Sequence, residues 1–285
     1  MKPSWTNFHS HTFYDDGKSP LEDYITAAIE QNVKSYGFST HSPVPFPSTW
    51  NMKMEKYREY LAEIERLKEK YKDQIQIYAG LEVDYIEGKC GVHNFRELDY
   101  SVGSVHYVNQ FEDGNYWEID YTKTHYDKGL QEIFGGSIKR AFQRYVDLNI
   151  KMIEEDTPTV LGHLDKMKMH NSTGKWFEES EEWYQELIEK YLEVIKAKNI
   201  IVEVNTRGFY KGYSQLYPSP WILEKVLEKN IPITLSSDAH TTAEITKGFA
   251  ETALQLKEIG FKTMHVLWDG EWQPFPFDEK GVYLP

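Results

Sequence analysis

The chain alternates along its whole length between short segments rich in β-branched and aromatic residues and longer ones whose apolar residues recur at helical spacing. Seven segments read as strands: Asn7–Thr12, Ser35–His41, Ile75–Asp84, Tyr100–Tyr107, Thr159–Asp165, Ile200–Thr206 and Pro232–His240. Ser19-Pro20-Leu21-Glu22 reads as a capping box with proline at the first helical position, opening a helix toward Asn32. Met54, Tyr57, Leu61, Ile64, Leu67 and Tyr71 share one helical face. So do Ile138, Phe142, Tyr145 and Met152, and later Trp183, Leu187, Tyr191 and Val194. Ser219-Pro220 opens another helix, and the stretch from Thr242 to Ile259 ends at Gly260, a C-cap. This alternation predicts an α/β fold on a parallel sheet, open or closed into a barrel. No low-complexity linker, fixed-period repeat or break in composition divides residues 1–285, so a single domain is expected. Val108 to Thr157 is long for one crossover, and Glu112-Asp113-Gly114-Asn115 suggests an excursion over the strand ends. The tail from Lys262 through Trp268 is expected to add a strand outside the alternation.

Composition narrows the function. The chain is 40% hydrophobic and 15% aromatic, enough to bury a sizeable core. Its 45 acidic and 32 basic residues leave a net charge of −13, a field that repels nucleic-acid backbones. A small anionic substrate stays open, because a local metal cation outweighs distant surface carboxylates. The single cysteine, Cys90, excludes an internal disulfide and a thiolate zinc cluster. Residues 1–7 lack the apolar run of a signal peptide, and no stretch approaches the ~18 apolar residues that span a bilayer. A cytoplasmic protein without membrane or nucleic-acid partners is expected.

The titratable residues cluster at the strand ends. The first strand ends in His9-Ser10-His11, and residues two apart in a strand share a face, so both imidazoles can reach one ion. The second ends Ser39-Thr40-His41, the third carries Glu82, the fourth Ser104-Val105-His106, the fifth Gly162-His163-Leu164-Asp165, and the seventh Asp238-Ala239-His240. In barrels, active sites assemble at the C-terminal ends of strands. A donor set of imidazole and carboxylate without sulfur suits zinc, manganese, iron or cobalt. Glu82 lies within an apolar strand, where an unpaired carboxylate is costly and a metal removes the cost. His93, His125, His170 and His265 fall in polar loops or the tail and read as surface or structural residues.

These residues resemble the PHP (polymerase and histidinol phosphatase) superfamily. The likeness runs in order through His9-Ser10-His11, Asp15-Asp16-Gly17, Ser39-Thr40-His41, Gly80-Leu81-Glu82, Ser104-Val105-His106, Gly162-His163-Leu164-Asp165 and Ser237-Asp238-Ala239-His240. It implies a distorted, TIM-like (β/α)7 barrel with two to three divalent metal ions at the C-terminal ends of its strands. One ion would be held by His9, His11, Glu82 and Asp238; a second by Glu82, His106 and His163; a third by Asp16, His41 and His240. Asp16 stands where many relatives have histidine, and neighbouring Asp15 is the alternative. The usual Thr-Asp-His is Ser39-Thr40-His41 here, so one supporting carboxylate is missing. Glu203-Val204-Asn205-Thr206-Arg207-Gly208 and Tyr217-Pro218-Ser219 resemble the histidinol-phosphate phosphatase branch.

The expected chemistry is hydrolysis of a small phosphate monoester, foremost L-histidinol phosphate in histidine biosynthesis, by metal-bound hydroxide with Glu82 bridging two ions. Arg207, at the end of the strand without a metal ligand, is expected to bind phosphate. Asp165 is expected to protonate the leaving alkoxide or orient a ligand. Glu112, Asp113, Glu118 and Asp120 are candidates to receive the substrate's cationic amine. Two other functions fit the same ligand pattern: action on nucleotides or nucleic-acid ends, and metal binding without catalysis.

Overall fold

The computed structural model describes residues 2–171 and 176–285. In chain order the first half comprises β1 (Trp5–Asn7), α1 (Leu21–Glu30), β2 (Val33–Phe38), α2 (Tyr57–Tyr71), β3 (Gln76–Asp84), β4 (Tyr100–Ser104), β5 (Tyr107–Gln110) and β6 (Tyr116–Glu118). The second comprises α3 (Lys123–Phe134), α4 (Ile138–Glu155), β7 (Val160–Leu161), α5 (Glu182–Ala197), β8 (Ile201–Asn205), α6 (Arg207–Tyr210), α7 (Pro220–Glu228), β9 (Ile233–Ser236) and α8 (Phe249–Ile259). A tail of β10 (Thr263–Trp268), β11 (Glu271–Asp278) and β12 (Gly281–Val282) follows.

The seven expected strands form one sheet in the order β1-β2-β3-β4-β7-β8-β9, and every neighbouring pair is parallel. Sequential order, with α-helices in every crossover but that from β3 to β4, gives the TIM-like α/β arrangement. The edge strands β1 and β9 share no ladder. They meet just past their ends, where Ser10 and Ala239 form a parallel bridge. There the His11 N–H donates to the Ala239 carbonyl at 2.8 Å, and the Ala239 N–H donates to the His9 carbonyl at 3.3 Å.

The longer helices bury apolar stripes, as α2 shows. On α2 the buried residues are Tyr57, Tyr60, Ile64 and Leu67, at three- and four-residue spacing. They join Leu21, Tyr24, Tyr36, Phe38 and Leu81 in one hydrophobic cluster under the first strands. A larger cluster around Phe142, Tyr145, Tyr184 and Tyr191 packs α4 and α5 against the later ones.

The tail is a three-stranded antiparallel sheet rather than one strand. It covers the N-terminal end of the parallel sheet: Ser35 donates to the Leu267 carbonyl at 2.6 Å, and Gln76, the first residue of β3, donates to Asp269 at 2.6 Å. The Trp272 ring packs 4.9 Å from Phe8 and 6.0 Å from Tyr100. The C-terminal end is open to a cavity. Beside it, β5 and β6 make an antiparallel hairpin whose tip carries Glu112-Asp113-Gly114-Asn115. The hairpin is anchored by fully buried Trp117, against which Gly129 of α3 packs so closely that a Cβ there would lie 2.1 Å from the indole.

Three local expectations are corrected. Ser19 caps nothing: Pro20 is extended (ψ 156°) and occupies the N-cap, so α1 starts at Leu21. The helix expected from Thr242 is broken at Gly248 (φ 80°) into a 3-10 turn and α8, which does end at left-handed Gly260. The ladders of β1, β2 and β9 stop at Asn7, Phe38 and Ser236, short of the expected Thr12, His41 and His240. The residues beyond them turn inward over the open end. Among the described residues no helix is long and apolar enough to cross a membrane.

Candidate metal centre

Glu82 lies at the centre. It is the seventh residue of β3, 1% exposed, and its Oε1 accepts a hydrogen bond from Ser104 at 2.7 Å. Its two oxygens face different imidazoles. Oε2 lies 3.2 Å from His9 Nε2, 3.5 Å from His11 Nε2 and 3.1 Å from His41 Nδ1. Oε1 lies 2.9 Å from His163 Nε2 and 3.5 Å from His106 Nε2. Asp238 Oδ1 is 3.2 Å from His11 Nε2, and Asp16 Oδ1 is 3.1 Å from His240 Nε2. All nine residues named from the sequence as metal ligands therefore meet at the open end of the sheet.

This donor set fits divalent cations. His9 Nε2, His11 Nε2, His41 Nδ1 and Asp16 Oδ1 are buried without a hydrogen-bond partner. Such orphaned polar atoms are costly unless something outside the protein satisfies them. Two ligand atoms each about 2.1 Å from one ion sit roughly 3.0–3.4 Å apart, the range in which most of these contacts fall. Three groups have ligand atoms mutually within 4.8 Å: His11, Asp16, His41 and His240; His9, His11 and Asp238; and His41, Glu82 and His106. His41 thus lies between the second and third expected sets, and His11 between the first and third.

Three further carboxylates hold the imidazoles in place. Glu203 Oε1 takes His9 Nδ1 at 2.6 Å, while its Oε2 accepts from the His163 backbone N–H at 2.8 Å and from Asn205 at 3.1 Å. Asp15 Oδ2 takes His11 Nδ1 at 2.7 Å and the His41 N–H at 2.8 Å. Asp84 Oδ1 takes His106 Nδ1 at 2.8 Å. A carboxylate on Nδ1 fixes the proton there and leaves the Nε2 lone pair for an ion. Of the adjacent pair, Asp15 is the orienting group and Asp16 faces the cavity. Burial opposes protonation of His11 and His106, but Asp15 beside one and Asp120 and Asp84 beside the other push each up to about 10. Burial opposes ionisation of Glu82 and Asp238; His9 beside the first and Arg207 beside the second hold both well below the usual carboxylate range.

Asp165 is a correction. It does not line the cavity. Its carboxylate is fully buried, 2.7 Å from Lys168 Nζ and accepting from the Ser219 N–H at 3.0 Å. His163 adopts φ 21°, and the Lys166 N–H turns back to the His163 carbonyl at 2.8 Å. The chain is no longer a strand there, so residues 163 and 165 do not share a face.

Beside these side chains lies a cavity of about 360 Å3. Arg207 reaches it; its guanidinium donates to the Asp238 carbonyl at 2.6 Å, with Nε 3.7 Å from Asp238 Oδ1. Glu118 and Asp120 line it from the end of the hairpin, whereas Glu112 and Asp113 lie elsewhere on the surface. His93, His125, His170 and His265 do not line it. Lys166, Trp50, Tyr121 and Tyr217 line it too and went unnamed as site residues in the sequence reading.

A PHP domain model matches residues 7–207. A Schizosaccharomyces pombe protein named "Probable histidinol-phosphatase" is 28% identical over 94% of this chain and 90% of its own length. The histidinol-phosphatase of Bacillus subtilis is 28% identical over 86% of this chain and 96% of its own. The crystal structure of histidinol phosphate phosphatase from Lactococcus lactis, complexed with zinc, L-histidinol and phosphate, superposes with a TM-score of 0.69 at 19% identity over 99% of both chains. That likeness establishes the fold. The chain belongs to the PHP domain family.

Proposed function

We propose that this chain is a metal-dependent histidinol-phosphatase, cleaving L-histidinol phosphate to L-histidinol and phosphate in the cytoplasm, with residues 1–285 acting as one domain. The observation that carries the reading is the convergence of six histidines, Asp16 and Asp238 around buried Glu82, beside a cavity that also presents Arg207. The names of relatives that match nearly end to end point the same way.

His9, His11, Glu82 and Asp238 would hold one ion, Glu82, His106 and His163 a second, and Asp16, His41 and His240 a third; zinc, manganese, iron and cobalt all suit these donors. Bound there, divalent ions supply an activated water and neutralise charge on the phosphoryl oxygens. The rest falls to the chain. Glu82 turns one oxygen to each of two histidine groups, the geometry of a bridging carboxylate. Glu203, Asp15 and Asp84 keep their imidazoles in the metal-binding tautomer. Arg207 offers a planar fork to phosphoryl oxygens. Glu118 and Asp120 give the substrate's cationic end a negative wall. Asp165 takes no part in leaving-group protonation, since Lys168 and Ser219 hold it outside the cavity.

The test compares kcat/KM for histidinol phosphate, nucleoside monophosphates and 5′-phosphorylated oligonucleotides on protein loaded with each metal. Histidinol phosphate is expected to lead. Preference for a nucleotide or oligonucleotide would overturn the substrate, and inertness toward every phosphomonoester would leave a metal-binding protein without catalysis.

A further inference from the structure

Lys166 is a buried cation in need of an anion. Its side chain is 7% exposed, yet its ammonium makes no hydrogen bond among the described residues. The nearest carboxylate oxygen, Asp120 Oδ2, is 4.0 Å away and lies 3.7 Å from His106 Nε2. The face of Tyr217 is 5.5 Å from it, a weak contact for a charge held out of water. Two residues on, Lys168 shows the satisfied alternative, with Asp165 at 2.7 Å. Lys166 lines the cavity, and its backbone N–H is tied to the carbonyl of His163, which places the side chain's root one turn from a candidate ligand. An ammonium buried without an acceptor is disfavoured unless an anion arrives from outside.

We propose that Lys166 is a substrate-binding residue whose ammonium takes an anionic phosphoryl oxygen, beside Arg207 and the ions. This rests on the phosphatase reading for its substrate, but inorganic phosphate alone is enough to test it. On ion-loaded protein, calorimetry is expected to show Lys166→Met weakening inorganic phosphate about tenfold to a hundredfold, the effect of losing one charge-assisted hydrogen bond. KM for histidinol phosphate rises in step with little change in kcat, while binding of L-histidinol, which has no phosphate, stays as in the wild type. Lys166→Arg recovers phosphate binding to within a few fold. Removing an unpaired buried charge leaves the melting temperature of Lys166→Met unchanged or raised, so a folding defect is not expected to obscure the result.

Unchanged phosphate affinity in Lys166→Met, equal weakening of phosphate and histidinol, or no phosphate binding by the wild type would each overturn the proposal. So would slower hydrolysis of histidinol phosphate with p-nitrophenyl phosphate spared, the mark of a proton donor to a poor leaving group. A wild type that binds phosphate yet hydrolyses no phosphomonoester refutes the phosphatase reading alone, and the calorimetric comparison still decides Lys166.

Discussion

Replacing Glu203 by glutamine keeps its size and removes one charge where two demands conflict. In the native protein one carboxylate oxygen takes the proton of His9 Nδ1 at 2.6 Å, and the other accepts from the His163 N–H at 2.8 Å and Asn205 at 3.1 Å. A glutamine has one oxygen and one NH2 for these positions. If the oxygen faces His9, the NH2 meets two donors and a buried backbone N–H loses its partner. If the NH2 faces His9, Nδ1 must accept, the proton moves to Nε2, and the lone pair that points toward Glu82 is lost. Either way one buried hydrogen bond or one ligand tautomer is forfeited. Carboxylates that orient metal-binding histidines are typically worth about 10- to 100-fold in metal affinity, or roughly 1.4–2.7 kcal/mol. Glu203→Gln is therefore expected to bind zinc or manganese about 10- to 100-fold more weakly in chelator-buffered titrations, with part of the activity returning at excess metal. Affinity equal to that of the wild type would refute the reasoning, because His9 would then need no anionic partner.

Glu82→Gln is expected to cut kcat by at least about a hundredfold under saturating substrate and to release metal during dialysis, as measured by elemental analysis. Arg207→Ala should raise KM and slow turnover; unchanged steady-state kinetics would remove Arg207 from the substrate. Gly129→Val forces a side chain into the Trp117 indole, so a loss of about 1–3 kcal/mol is expected in urea unfolding, with a raised KM as the hairpin carrying Glu118 shifts. In chelated protein His11 and His106 are each pushed up to about 10, so the folded state binds these protons more tightly than the unfolded chain. That stability is complete below the ordinary histidine value near 6.5 and fades as pH rises toward 10; melting of the chelated protein is expected to fall between pH 7 and 9.5, and flat melting curves would contradict it.

Much of this was legible in the sequence because ligands at strand ends need only the right strands. A His-x-His pair, an acidic residue inside an apolar strand, and regular strand–helix alternation marked eight of the nine residues that meet around Glu82, and the family resemblance alone supplied Asp16. What failed was the extension of strand geometry past the last ladder residue. His163 and Asp238 take positive φ, at 21° and 53°, and there the rule that residues two apart share a face breaks down. Asp165 was misplaced for that reason. Asp15 and Asp16 are neighbours in a loop, where no periodicity separates the orienting carboxylate from the one facing the cavity. Glu203 was readable and passed over: it sits between Val202 and Val204, the same apolar setting that singled out Glu82. Asp84 likewise lies two positions after Glu82 on β3. Lys166 carried no signal, since a lysine in a polar stretch reads as solvated and only the surrounding turn buries it.

The seam between β1 and β9 fixes the order in which the centre can be completed. β1 is three residues long; it has no ladder to β9, while Ser4 just before it pairs with Val282 of the tail. His9 and His11 follow β1, whereas Asp238, His240 and that tail come at the far end of the polypeptide. In a nascent chain the sets that use His9, His11 and His41 stay incomplete until β9 has come back to the first strand with Asp238 and His240, whereas Glu82, His106 and His163 need neither. An ion that draws on both ends of the chain would therefore act as a clasp across this seam, joining strands that no ladder of backbone hydrogen bonds connects.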